Sequence, residues 1–128
     1  MARIPDRHAG RRLDRFALAD DGDGSGGQET SATNAVADGV WTHVCGVYDD
    51  VTISMYINGV LDGTPTSYTG GIYASASSPF RIGALGDSGF TGNYWDGLIT
   101  HVIVLNRALT TDEVKSIYYQ GVIPHRVL

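Results

Sequence analysis

An antiparallel β-sandwich of jelly-roll type, closed by one short C-terminal helix, is the fold that this 128-residue sequence predicts. Three observations predict it. Eight short segments rich in Val, Ile, Thr, Tyr and Trp follow one another, each bounded by Gly, Pro, Asn or Asp. Neither internal repeats nor a β-α-β alternation occurs, which excludes a parallel α/β sheet. Finally, 17 Gly and 7 Tyr stand against 2 Met and two Glu, a balance that favours turns and strands over long helices. A chain of this length buries roughly two-thirds of its unfolded surface in a single core.

Residues 1–12 have no hydrophobic period, contain Pro5 and Gly10, and read as a flexible basic tail; residues 13–128 read as a single domain. Leu13 to Asp20 alternates, with Phe16 and Leu18 on one face, and predicts a strand. Asp20 to Glu29, DDGDGSGGQE, holds four acids and four Gly and reads as a flexible acidic loop. Thr30 to Ala37 is a polar strand candidate, and Asp38-Gly39 is a hairpin-type dipeptide leading into Val40.

Val40 to Leu61, VWTHVCGVYDDVTISMYINGVL, is the clearest architecture in the chain. Asp49-Asp50 divides two strands, and Asn58-Gly59 supplies the positive-φ pair of a two-residue type I′ turn. On the first strand Trp41, His43, Cys45 and Val47 share a face while Val44 and Tyr48 take the other. Apolar groups on both sides predict a central, covered strand. On the second, Val51, Ile53, Met55 and Ile57 alternate with Thr52, Ser54 and Tyr56, predicting one core face and one wetter face.

Leu61 to Tyr68 contains Gly63 and Pro65, and Pro65 places it at a sheet edge or in a bulge. Pro79 to Ala84, PFRIGA, is a short strand followed by a Gly-rich loop, Leu85 to Asn93. Gly97 to Asn106, GLITHVIVLN, is apolar on both faces and predicts a second central strand. The helix is predicted from Thr111 to Gln120. Thr110 and Glu113 form a capping box, Asp112 suits the positive helix end, Val114, Ile117 and Tyr118 lie at helical spacing, and Gly121 can stop it.

The net charge of −5 conceals +3 on residues 1–12 and hence −8 on the rest. An acidic body repels a phosphate backbone, which argues against a nucleic-acid partner despite Arg3, Arg7, Arg11 and Arg12. No run approaches the ~20 apolar residues of a membrane span, and the N-terminus lacks the apolar segment of a secretory signal. The lone Cys45 has no partner for an intramolecular disulfide and reads as a small core residue.

Three segments resemble the laminin G-like, concanavalin A-like lectin/glucanase sandwiches, in the bacterial branch of that superfamily. WTHVCGVYD (Trp41 to Asp49) is similar to the family's W-x-H-V-A-G-V-Y-D strand, and MYINGVLDGT (Met55 to Thr64) to its hairpin with a central N-G. DGLITHVIVLNRALTTDEVKSIYYQG (Asp96 to Gly121) resembles the closing strand and capped helix, and PFRIGA adds a fourth match. The resemblance covers roughly Val36 to Gly121. The family's usual opening strands have no clear counterpart before it, so the chain looks shortened on its N-terminal side. Thr100-His101 stands where the family commonly has an acidic pair. The resemblance implies an extracellular or cell-surface setting and a carbohydrate or protein ligand.

It also implies glycosidases, which need paired carboxyls about 5 to 5.5 Å apart when they retain configuration. The family's glucanases carry an E-x-D-x-E strand motif that is missing here. Glu113 is used by the helix cap, Glu29 sits in a loop, and Asp49-Asp50 diverge in a turn. A non-catalytic module is therefore expected. His43 and Cys45 lie two apart without an acid placed to orient the imidazole, and no G-x-S-x-G elbow occurs. Both read as strand residues.

Gly86 to Gly97, GDSGFTGNYWDG, is the candidate ligand site. Aromatic faces stack on sugar C–H surfaces while Asp and Asn bond hydroxyls, and this stretch offers Asp87, Phe90, Asn93, Tyr94, Trp95 and Asp96, with Tyr68 and Tyr73 as possible additions. The alternative is that Phe90 and Trp95 plug the sandwich end. Asp21, Asp23 and Ser25 with Gly26 match the opening of an EF-hand-like calcium loop, but Ala32 occupies the place of its bidentate Glu; a plain solvated loop is the competing reading. A structural or protein-interaction domain is the rival function: missing opening strands leave a sheet edge open, and a second copy can cover it, making a homodimer.

Overall fold

The computed structural model describes residues 15–18, 28–31, 37, 39–69, 71–72, 82–85, 93–95 and 97–122. In chain order its elements are β1 (Arg15–Leu18), β2 (Gln28–Ser31), β3 (Val44–Tyr48), β4 (Thr52–Ile57), β5 (Val60–Ser67), β6 (Ala84–Leu85), β7 (Asn93–Tyr94) and α1 (Thr111–Val122). β3, β4 and β5 form an antiparallel sheet in that order, while β1-β2 and β6-β7 are separate antiparallel pairs. Gln28 and Glu29, read from sequence as loop, belong to β2. Residues 1–14, and with them the basic tail, lie outside the described residues.

The β4-β5 turn is the one its sequence specifies: Asn58 has φ 51° and Gly59 φ 77°, between the paired Ile57 and Val60. At the other end of β4, Asp50 takes φ 70° and the Asp49 carboxylate accepts the backbone N–H of Val51 at 3.1 Å and of Thr52 at 2.6 Å. Those bonds, the one from Thr52 foremost, hold the Asp49 carboxyl below its usual range. The carboxylate builds the turn. β5 is an edge strand whose register against β4 shifts between Ile53 and Met55, so that the stretch containing Gly63 and Pro65 bulges out of the ladder.

Alternation sends Cys45, Val47 and Tyr56 to one face of the sheet, where they pack with Val114, Ala108 and Leu109. Val114 is fully buried, a contribution of roughly 1.5–3 kcal/mol. Tyr56 and Thr111 join hydroxyls at 3.2 Å, and Tyr118 lies over the turn. On the opposite face Ile53 and Met55 are fully buried, and β2 lies against β4 and β5 without entering their ladder. β4 is thus covered on both sides, and Tyr56, assigned from sequence to a wetter face, is buried because α1 occupies that face.

Two expectations about centrality are corrected. Among the described residues β3 is an edge of its sheet, with Val44 half exposed and Trp41, just before it, 66% exposed. Residues 97–106 form no strand: they make no ladder, His101 turns to φ 52°, and Leu98, Ile99, Val102, Ile103, Val104 and Leu105 are all exposed. A strand is a property of a pair, and among the described residues this apolar run has no neighbouring strand with which to exchange backbone bonds.

The helix cap is reciprocal. Thr110 N–H donates to Glu113 Oε2 at 2.9 Å and Glu113 N–H donates to Thr110 Oγ1 at 3.3 Å. Arg107 grips the same carboxylate through both guanidinium nitrogens, at 2.9 and 2.7 Å. Together, Arg107 first, these partners push the Glu113 carboxyl down to about 2. α1 runs through Gly121 to Val122, one turn-fraction beyond the expected stop.

Two outcomes follow from this packing. Gly59→Ala meets both a positive φ and Tyr118 carbons 3.0 to 3.3 Å from the new Cβ, whereas Gly39→Ala meets only a positive φ of 75° in open space. Urea denaturation is expected to show a larger loss for Gly59→Ala than the ~1–2 kcal/mol that left-handed backbone costs at Gly39. For Glu113, a folded-state carboxyl at about 2 against an ordinary 4.5 gives stability that is fully present above pH 4.5 and lost as pH falls through about 2. Glu113→Ala is expected to be less stable than the parent at neutral pH, with the difference closing over that acid window in thermal melts taken across it.

Candidate functional site

The β6-β7 pair is a two-residue ladder, Ala84 opposite Tyr94 and Leu85 opposite Asn93. Trp95 extends it, donating its backbone N–H to the Gly83 carbonyl at 2.8 Å. Gly83 takes φ 72° and lets the Trp95 Cβ and the Ile99 side chain approach. On the other side the indole covers Gly97 so closely that a Cβ there would stand 2.9 Å from Nε1. The ring is half-buried, and its Nε1 is buried without a hydrogen-bond partner among the described residues. Trp95 is therefore fixed by its backbone and by two glycines, and it offers part of a rigid aromatic surface. A rigid surface of this kind suits stacking, because little side-chain entropy remains to be lost on binding.

Of the other sugar-site candidates, Asn93 and Tyr94 occupy β7, bringing them next to Trp95 along the chain. Asp87, Phe90 and Asp96 lie outside the described residues, as does Tyr73. Tyr68 does not join a ligand surface. It is buried, donates its hydroxyl to the Gly71 carbonyl at 3.1 Å, and stacks at 5.5 Å against Tyr48, whose hydroxyl accepts the Gly71 N–H. Its role is to close the chain after β5. Asp21, Asp23 and Ser25 also lie outside the described residues, and among the described residues no cluster of three His, Cys, Asp or Glu could hold a metal ion.

His43 and Cys45 are strand-side groups, as their sequence context suggests. Burial pushes the Cys45 thiol up and the His43 imidazole down, so neither is activated as a nucleophile or a cationic base. What sequence reading missed is the aromatic chain at the hairpin's end: His43 meets Tyr118 at 5.8 Å, and Tyr118 meets the exposed Tyr119 at 5.3 Å. The Tyr118-Tyr119 doublet was the available signal, but its helical spacing pointed only Tyr118 inward. Asp62, buried opposite Met55 on β5, was likewise not legible.

Gly97→Ala is expected to displace the Trp95 indole while leaving the sheet intact. In a Trp41→Phe background, Trp95 is the sole fluorophore of its kind, and its emission should move to the red as Nε1 gains water. An unchanged spectrum would show that the indole does not depend on Gly97.

A crystal structure at 2.1 Å of an S-layer domain-containing protein (residues 221-444) from Clostridium thermocellum ATCC 27405 is similar, with 25% sequence identity and a TM-score of 0.54. The likeness covers 81% of this chain and 50% of that one, so the chain spans half the length of the solved structure. No curated protein matches the chain. A laminin G family model, described as the concanavalin A-like lectin/glucanases superfamily, matches residues 7–115, reaching upstream of the Val36 at which the resemblance became legible. Its span agrees with the three-stranded antiparallel sheet and C-terminal helix, and the chain belongs to the concanavalin A-like lectin/glucanases superfamily.

Proposed function

We propose that the chain is a non-catalytic carbohydrate-binding module, presented outside the cell or at its surface, in which Trp95 is the stacking platform. The half-buried indole held between Gly83 and Gly97 carries this reading. Asn93, Tyr94 and Asp96 flank it in sequence, and Asp87 and Phe90 belong to the same loop. Domains of this superfamily commonly bind carbohydrate or protein ligands, and although the superfamily includes glycosidases, laminin G-like domains are generally non-catalytic. Among the described residues, Asp49 and Glu113 are committed to a turn and a cap, which leaves neither carboxylate free for acid/base work. No helix among the described residues is long and apolar enough to cross a membrane. The complete domain in this reading is a jelly-roll sandwich, with the basic tail of residues 1–12 outside it and calcium held in the loop of Asp21, Asp23 and Ser25.

A broad glycan screen is expected to return weak, millimolar to micromolar binding. Trp95→Ala should weaken it about tenfold, the factor that ~1.4 kcal/mol of lost stacking produces. No hit, or a hit indifferent to Trp95→Ala, would remove the proposal, and release of reducing sugar from β-glucans would replace it with an enzyme. For calcium, millimolar addition should raise the melting temperature of the parent and not of Asp21→Ala/Asp23→Ala.

A second reading, a homodimer formed through an open sheet edge, is favoured by one observation. The uncharged run Leu98 to Leu105 is exposed, as is the apolar approach to the β3 edge at Val40, Trp41 and Val44. Light scattering is expected to give twice the monomer mass at high concentration, falling to the monomer mass in Ile103→Lys. A monomeric parent sinks it.

A further inference from the structure

The β4-β5 turn and the third turn of α1 meet at His43, and that junction has a polar imbalance that the binding function does not use. His43 is held by its backbone: its N–H donates to Asn58 Oδ1 at 3.0 Å, and its carbonyl accepts the Asn58 N–H at 2.9 Å. Its ring rests 5.8 Å from that of Tyr118, which in turn covers Gly59 with carbons 3.0 to 3.3 Å from where a Cβ would stand. Imidazole, turn and helix are therefore in one contact chain.

The ring's Nδ1 is buried and has no hydrogen-bond partner among the described residues. A neutral imidazole tolerates this by carrying its proton on Nε2 and leaving Nδ1 as a bare lone pair. A second proton creates an N–H at the buried Nδ1 with no acceptor among the described residues, together with a partly desolvated positive charge. The groups facing the ring offer no compensation. Asn58 has already given its carbonyl oxygen to the His43 N–H, Tyr118 presents ring carbons, and Cys45, two residues on along the same strand face, is a neutral thiol pushed up by burial. On α1, Lys115 points to Asp112 at 3.9 Å, and among the described residues no carboxylate pairs with His43. The C-terminal turn of α1, which Tyr118 begins, favours a cation, and burial nevertheless sets the net direction, down from 6.5.

We propose that His43 is an acid-sensitive latch: protonation at Nδ1 drives the imidazole out of its site, and the C-terminal half of α1 lifts from the Asn58-Gly59 turn. The N-terminal half stays docked through Val114, the Tyr56–Thr111 hydroxyl contact and the Arg107–Glu113 clamp. Because the folded-state value is lowered, the latch is fully closed above 6.5 and opens as pH falls below it. Carboxylates titrate lower, so the window from about pH 7.5 to about pH 5.5 isolates histidine.

The test is amide hydrogen exchange of the full chain at the two ends of that window, corrected for intrinsic rates, together with an NMR titration of the four His rings. Opening at Tyr118 to Gly121 is expected to rise several-fold at the acid end, with Val114 to Ser116 unchanged. His43→Gln, which carries no titrating proton, should abolish the rise, and His101→Gln, at an exposed ring bonded to Thr100, should keep it. A response retained in His43→Gln, or no response in the parent, overturns the proposal. Should His43→Gln fail to fold, the titration of the parent decides: a His43 midpoint at or above 6.5 overturns the latch, and a depressed midpoint that tracks helix opening supports it.

Discussion

Gly59 carries a constraint on which much of the structure rests. Its backbone must take a left-handed φ to close a two-residue turn, and its missing side chain is the space that Tyr118 fills. Local geometry and tertiary packing therefore demand glycine at one atom for two unrelated reasons. The turn sets the register of β5 on β4, while the pairing of β3 with β4 places Cys45 opposite Tyr56 on the face that receives α1. A one-residue slip of β3 on β4 would turn Cys45 and Val47 away from the helix.

From this junction the core spreads in two directions with different support. Toward α1 it is held by a small apolar cluster, a hydroxyl pair and a helix start whose cap and Arg107 clamp share a single carboxylate. Away from α1, Ile53 and Met55 are buried where β2 approaches β4 and β5. The sheet's outer strands remain less covered, and the apolar run from Leu98 to Leu105 is exposed and extends no ladder among the described residues. Apolar pattern states that a segment can bury itself; it does not supply the neighbouring strand that burial needs.

The candidate site was legible in kind and only partly in place. Trp95 stands out in the sequence because an aromatic face among Asp and Asn suits a sugar, with a plug of the sandwich end as the alternative; the structure adds that its side chain lies close to Gly83 and Gly97. Tyr68 was not separable from it by sequence, since a Tyr after an edge strand can stack on a ligand or plug a turn, and the carbonyl of Gly71 decided for the plug. The aromatic contact of His43 and Tyr118 joins positions 75 residues apart. Nothing local announces it.

By itself the sequence determined what depends on near neighbours: the Asn58-Gly59 turn, the Asp49-Asp50 break, the bulged edge strand at Pro65, and the Thr110–Glu113 cap. Each rests on steric limits or hydrogen bonds spanning a few residues, so residue identity is sufficient. Only the tertiary structure decided which strand is central, that Tyr56 is buried, that residues 97–106 pair with no strand among the described residues, and that the buried Nδ1 of a half-buried imidazole has no hydrogen-bond partner among them. Those outcomes depend on which distant surfaces arrive to cover a face, and a hydrophobic pattern that reads alike on two strands carries no record of which one receives the helix.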